Sequence, residues 1–244
     1  MELEIRRLSK DFGGIKALKG IDLTISGNEL VGLIGPNGSG KTTLVNVIGG
    51  IYTPNGGHIV FNGTDISRKK PNQVAHLGIG RTFQVTRPFR RMTVMENLLV
   101  PGLATAPERG RKAWIERAHE VLEFLTMEHL RHDYARSLSG GQQKLLELGQ
   151  VLMTDPELIL LDEPFAGVHP KLMETIFGYI TTLHAQGKAF IIVSHDMESI
   201  FTLSERLVVL SYGDIIADGH PSVVKDDEIV IEAYLGEEDV DACG

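Results

Sequence analysis

The sequence predicts an α/β fold: a core with a parallel sheet, an antiparallel β subdomain and an inserted α-helical subdomain. Three observations predict it. An apolar strand, a glycine loop and a helix follow one another over residues 30–48. Two later runs, 158–161 and 189–193, are apolar throughout and suit strands buried on both faces of a parallel sheet. From about Val94 to Met153 the apolar residues fall instead at helical spacing.

Taken in order, residues 2–8 and 20–25 alternate apolar and polar side chains and read as antiparallel strands. Asp11-Phe12-Gly13-Gly14 is the turn region between them. Leu30-Val31-Gly32-Leu33-Ile34 is the next strand. It runs into Gly35-Pro36-Asn37-Gly38-Ser39-Gly40-Lys41-Thr42, a complete G-x-x-x-x-G-K-[ST] phosphate loop, and Thr43–Ile48 continues as helix. Glycines let backbone N–H groups turn inward around a polyphosphate, and the helix N-terminus adds partial positive charge. Lys41 is placed to reach the β- and γ-phosphates, and the Thr42 hydroxyl to sit on magnesium. Pro54-Asn55-Gly56-Gly57 then punctuates the chain before a short strand around Ile59–Phe61. In the helical stretch Trp114, Ala118, Val121, Leu122 and Leu125 share one face. A tail from about Pro221 to Gly244 carries two short helical patterns, ends them at Glu232–Gly236, and frays into acidic residues.

Composition sets the limits. At 244 residues, 42% hydrophobic and 23% charged, the chain suits a single domain over 1–244, either one large domain or one domain with a subdomain, with a full core. A net charge of −8 argues against broad, sequence-independent nucleic-acid binding, so no nucleic-acid partner is expected. Arg68-Lys69-Lys70 and Arg87, Arg90 and Arg91 read as solvated faces or partner contacts. Cys243 is the only cysteine, which excludes an intramolecular disulfide and fits a reducing, cytoplasmic compartment. No secretory signal is evident at Met1–Arg7, and no window approaches the roughly eighteen apolar residues of a membrane span. Any membrane connection is expected through a partner.

Four further elements follow the phosphate loop. Gln84 ends Gly80-Arg81-Thr82-Phe83, where its amide can lend an oxygen to magnesium and sense the attacking water. Leu138-Ser139-Gly140-Gly141-Gln142-Gln143 opens a helix with a hydroxyl and two glycine amides, a second anion site. Leu158–Leu161 ends in Asp162 and Glu163; Asp162 suits the metal, Glu163 a general base or water positioner. His195 follows the strand ending Ile192-Val193-Ser194, where an imidazole can contact a γ-phosphate.

In this order the residues resemble the nucleotide-binding subunit of an ATP-binding cassette (ABC) protein, over essentially the whole chain. The resemblance implies a P-loop NTPase core with ATP and Mg2+ as cofactors. Gly35–Thr42, with Thr43, is similar to Walker A, Leu158–Asp162 to Walker B, and Gln84 to the Q-loop residue. Thr42, Gln84 and Asp162 are the implied metal ligands, Glu163 the catalytic glutamate and His195 the switch histidine. Leu138–Gln142 is the signature, whose Ser139, Gly140, Gly141 and Gln142 are implied to serve ATP held by a second ATP-binding subunit, identical or not, in a head-to-tail dimer. Phe12 falls where the family stacks an aromatic on adenine, and could equally be a core aromatic. His169 departs from the family, which mostly carries Asp there; the expected effect lies in communication between ATP sites.

Two classes compete: the energy subunit of a transporter, and a soluble ABC ATPase such as that of iron–sulfur cluster assembly. The absence of a long coiled-coil insertion or a second cassette favours transport. Gly78–Gln84, Met92–Leu98, Ser194–Met197 and Glu232–Gly236 closely resemble the ATPases of branched-chain amino-acid importers and their urea and amide relatives. The connection between Asn97 and Ser139 is shorter than in the longer ATPase of such systems, and the lipopolysaccharide-export ATPase is a near relative. The resemblance implies permease membrane subunits as partners, with a periplasmic or extracellular solute-binding protein acting indirectly. It implies a peripheral place on the cytoplasmic face of the cell membrane, with a permease helix docking beside Gln84 and Arg87–Leu98.

Overall fold

The computed structural model describes residues 1–82 and 88–241, with residues 235–241 described by backbone alone. β1 (Glu2–Phe12) and β2 (Ile15–Ser26) pair antiparallel through Gly13 and Gly14. A two-residue hairpin turn of type I′ asks for positive φ at both positions, and these glycines stand at 51° and 96°. The turn is therefore shorter than the expected Asp11–Gly14, and Phe12 ends β1. Alternation in β1 slips at Arg6 and Arg7, where a register shift returns Leu8 to the buried face.

β3 (Leu30–Ile34) is buried throughout and leads through the phosphate loop into α1 (Lys41–Ile48). β4 (Gly56–Phe61) and β5 (Thr64–Asp65) complete an antiparallel sheet of order β2-β1-β4-β5. α2 (Pro71–His76) and β6 (Ile79–Arg81) follow. The stretch expected to be helical holds α3 (Val94–Thr105), α4 (Arg111–Phe124) and α5 (Gly140–Leu152). Beyond it come β7 (Leu158–Asp162), α6 (Pro170–Ala185), β8 (Ala189–Val193) and α7 (Met197–Leu203). β9 (Arg206–Ser211), β10 (Asp214–Gly219), α8 (Pro221–Val224) and α9 (Glu228–Asp241) end the described chain.

The second sheet has the order β10-β9-β3-β8-β7-β6, parallel except for β10 against β9. Its continuously apolar strands feed two cores by parity. Leu158, Leu160, Ile191 and Val193 face α1 and the antiparallel sheet, whereas Ile159, Leu161, Phe190 and Ile192 face the helices α3 to α7. Each such side chain is fully buried, worth about 1.5–3 kcal/mol against exposure. The helical layer is closed by Trp114, whose ring lies where a Cβ on Gly102 would approach within 2.5 Å. Beyond the longer β1 and β2 and their tighter turn, two further features differ from the sequence reading. The β9–β10 hairpin is not among the strands it identifies, because β9's short apolar run acquires its meaning only beside β3. The last helix continues through Asp241 rather than fraying after Gly236. No helix among the described residues is long and apolar enough to cross a membrane.

Candidate active site

Parallel pairing puts the C-terminal ends of β3, β8, β7 and β6 along one edge of the sheet, where open α/β sheets bind their ligands. The phosphate loop follows β3, His195 follows β8, and Asp162 and Glu163 lie at the end of β7. Residues far apart in sequence thus meet at one rim.

The loop's glycines are set by close packing. A Cβ on Gly35 (φ 141°) would lie 2.0 Å from the Leu210 carbonyl oxygen, and one on Gly40 (φ 112°) 2.6 Å from that of Ala17. Lys41 curls back into the loop, its Nζ donating to the carbonyls of Gly35 (2.6 Å) and Pro36 (2.7 Å) and to Ser39 Oγ (3.4 Å). Pro36 and Ser39 are buried, Asn37, Gly38 and Thr42 are exposed, and Thr43 is half-buried. No described side chain caps α1, so its first-turn amides are left to the loop.

At the end of β7 the Asp162 side chain is only 1% exposed. Its Oδ2 accepts from Arg81 Nη2 at 3.2 Å, and its backbone N–H donates to Thr82 Oγ1. Oδ1 is buried with no hydrogen-bond partner among the described residues. Burial pushes the Asp162 pKa above the usual carboxylate range, with Glu163 adding to the rise; Arg81 and, more weakly, Lys41 oppose it. Arg81 also donates from Nη1 to Asn46 Oδ1 at 2.8 Å, tying β6 to α1 and β7.

Glu163 leaves the strand at φ 53°, its N–H donating to the Val193 carbonyl. Its Oε2 lies 2.8 Å from His195 Nδ1, a close contact without the alignment of a hydrogen bond. The glutamate side chain is 12% exposed against 72% for the histidine.

Ser139 caps α5. Its Oγ accepts from the Gln142 N–H at 3.3 Å, while Gln142 Oε1 accepts from the Ser139 N–H at 2.9 Å. Ser139 and Gly140 are exposed. Gly141 has no room for a side chain, since a Cβ there would meet Leu172 Cδ2 at 2.1 Å. His169, also exposed, caps α6 by accepting from the Lys171 N–H. Phe12 is 40% exposed and packs edge-on against Tyr52 at 5.1 Å, which places it outside both cores. Gln84 and Arg87 lie outside the described residues.

A cavity of about 850 Å³ opens beside this rim between α1, α2, α3 and α5, with Asn46, Arg81 and Asp162 in its wall. Sequence reasoning did not assign Arg81, Asn46, Tyr52 or Lys144. Local sequence carried no signal for Arg81, whose burial and whose acidic neighbour both come from the pairing of β6 with β7.

The fold and this rim define an ABC ATPase, and the chain belongs to the ABC transporter family: the family's model matches residues 18–166. A second model, described as branched-chain amino acid ATP-binding cassette transporter, matches residues 215–240. The chain is 40% identical to the probable branched-chain amino acid transport ATP-binding protein LivG of Methanocaldococcus jannaschii, covering 96% of this chain and 97% of that protein. It is 37% identical to the lipopolysaccharide export system ATP-binding protein LptB of Haemophilus influenzae, over 97% of this chain and 98% of the relative. Among solved structures, the ADP conformation of an ATP-binding cassette of an ABC transporter superposes with a TM-score of 0.87. It is 38% identical, covering 97% of this chain and 99% of that one.

Proposed function

We propose that this ATPase drives an importer of branched-chain amino acids or a related amino acid, amide or urea through separate permease subunits. The observation that carries the chemistry is the shared rim: a lysine-centred phosphate loop, a buried carboxylate and a Glu163–His195 pair on adjacent parallel strands. The match at residues 215–240, outside the nucleotide rim, supports the importer class.

ATP is held with its phosphates in the loop Gly35–Thr43 and on Lys41, and with its base against Phe12. Asp162 Oδ1, buried and without a hydrogen-bond partner among the described residues, and the Thr42 hydroxyl at the start of α1 fit a hard divalent cation, with Gln84 as a further oxygen donor. Magnesium held there supplies charge neutralisation on the β- and γ-phosphates. Glu163 orients and deprotonates the attacking water, and His195 holds Glu163 toward the γ-phosphate. Ser139 and Gly140 are exposed and form no hydrogen bond with the phosphate loop among the described residues. We read them, with Gly141 and Gln142, as serving ATP on a second subunit in a head-to-tail dimer. Within the single domain 1–244, residues 94–153 act as the helical subdomain and 221–244 as a C-terminal tail. The cavity beside Arg81 and the segment Arg87–Leu98 form the permease-docking face, which places the chain peripherally at the membrane. A solute-binding protein acts on it only through the permease.

Glu163→Gln is expected to bind ATP, accumulate as a closed dimer and lose about 10²–10⁴-fold in hydrolysis. Hydrolysis at the wild-type rate removes Glu163 from the base role. Affinity purification from detergent-solubilised native membranes tests the transport reading. Two multi-span permeases with a second ATPase support it. Permeases of a lipid exporter favour the lipopolysaccharide-export reading, which the 37% identity to LptB keeps open. A soluble partner alone overturns transport.

A further inference from the structure

We propose that Lys144 is a positioning residue for hydrolysis, holding from the signature helix the backbone turn that carries Glu163. Lys144 lies on α5, just past the Ser139–Gln142 box. Its Nζ donates to the carbonyls of Ala166 (2.6 Å), Glu163 (3.3 Å) and Pro164 (3.3 Å). An ammonium has three N–H donors, so these three carbonyls use its whole capacity. The side chain is half-buried, and burial lowers its pKa against the opposing pull of Glu147 and Glu163.

The turn it holds needs holding. Glu163 sits in the left-handed region at φ 53°, a conformation that strains a residue with a side chain and persists only when its surroundings over-determine it. Its N–H is fixed by the Val193 carbonyl of β8; its own carbonyl accepts from the Ala166 N–H and from Lys144 Nζ, each at 3.3 Å, and Lys144 also holds the Ala166 carbonyl at 2.6 Å. The carboxylate direction therefore depends on two elements, β8 and α5. Leu172 on α6 closes over Gly141 with no space between them, so α5 also bears on the chain beyond the turn. A shift of α5 at its Ser139 end carries Lys144 with it and re-aims Glu163. The helix that addresses one nucleotide thereby sets the water-orienting group of the other.

This inference rests on the reading of Glu163 as general base, and the test separates the two. Steady-state ATPase kinetics, nucleotide affinity and urea unfolding are measured for Lys144→Met, Lys144→Arg, Glu163→Gln and the Lys144→Met/Glu163→Gln double variant. Misplacement of a catalytic group by about 1 Å costs up to about a hundredfold, so Lys144→Met is expected to lose between about tenfold and a hundredfold in kcat. KM and nucleotide affinity should stay essentially unchanged, as expected when only transition-state interactions are lost. Lys144→Arg should recover most of the rate, and Lys144→Met should cost nothing further in the Glu163→Gln background. Wild-type kcat in Lys144→Met overturns the proposal, as does an equal further loss in the double variant or a parallel fall in affinity. If Lys144→Met does not fold, Lys144→Gln carries the same comparison. Undiminished hydrolysis by Glu163→Gln instead overturns the base reading itself.

Discussion

Replacing Arg81 by Met tests the electrostatics of the rim most directly. Arg81 and Asp162 are both withdrawn from water, with side chains 10% and 1% exposed, and they meet at 3.2 Å. Removing one member of such a pair leaves a buried charge uncompensated, which costs about 3–5 kcal/mol. Of this, about 1 kcal/mol belongs to the bond that Arg81 gives Asn46. The sign with pH follows from Asp162. Burial already raises its folded pKa above the unfolded value, so the group detracts from stability at neutral pH, and less so as pH falls through the folded pKa. Without Arg81 that pKa rises further, because the largest opposing influence has gone. The deficit of Arg81→Met should therefore be greatest at and above neutral pH and shrink on acidification, once Asp162 takes a proton and needs no cation. Urea unfolding at a series of pH values measures it, and Asp162→Asn in the Arg81→Met background should return most of the loss. A deficit below about 1 kcal/mol, set against the cost of breaking a buried pair, refutes the reasoning. So does one that is flat with pH, or one that persists when Asp162→Asn is added.

Two further perturbations probe the helical layer. Asn97 is fully buried; its Oδ1 accepts from the Phe89 N–H and its Nδ2 donates to the carbonyls of Phe89, Met92 and Thr93. Asn97→Leu should cost about 2–4 kcal/mol by stranding these groups, with hydrogen exchange quickening first at Phe89 and its neighbours. Ser139→Ala removes a helix cap, worth about 1 kcal/mol in urea unfolding. If Ser139 serves the partner's ATP, hydrolysis should fall far more than that loss explains, and a rate that merely tracks stability would remove Ser139 from the site.

The rim was legible where its chemistry is contiguous. A phosphate loop needs glycines, a lysine and a hydroxyl at fixed spacing on one strand–helix junction, so Gly35–Thr42 announces itself. The apolar runs of β7 and β8 did so too, because a strand buried on both faces has no polar position to break it. What stayed hidden acts across the chain. Arg81 meets Asp162 from 81 residues away and Asn46 from 35, and Lys144 reaches Ala166 across 22. No local pattern distinguishes a lysine that turns inward onto carbonyls from one that faces water. Phe12 shows the same limit: its type suited a core or a stacking platform, and only its place at the end of β1, beyond the hairpin's buried face, removed it from the core.

Adjacent carboxylates at a strand end look interchangeable, yet the backbone makes Asp162 and Glu163 different reagents. Asp162 is the last residue in the sheet, paired in register with Val193 and sealed under Arg81 and Thr82. It has one oxygen fixed and the other without a partner among the described residues, a suitable arrangement for a fixed charge and a poor one for a group that must swing. Glu163 has left the sheet at positive φ, so its side chain escapes strand alternation and emerges beside the exposed His195. On the base reading, it is the one of the two placed to follow water and return a proton to solvent. Swapping their order, Asp162→Glu with Glu163→Asp, keeps the charge and the composition. It should still abolish turnover, because the longer side chain then stands in the sealed position and the shorter one falls short of His195. Steady-state ATPase with nucleotide binding measures this, and wild-type turnover would mean that the turn, rather than side-chain length, assigns the two roles.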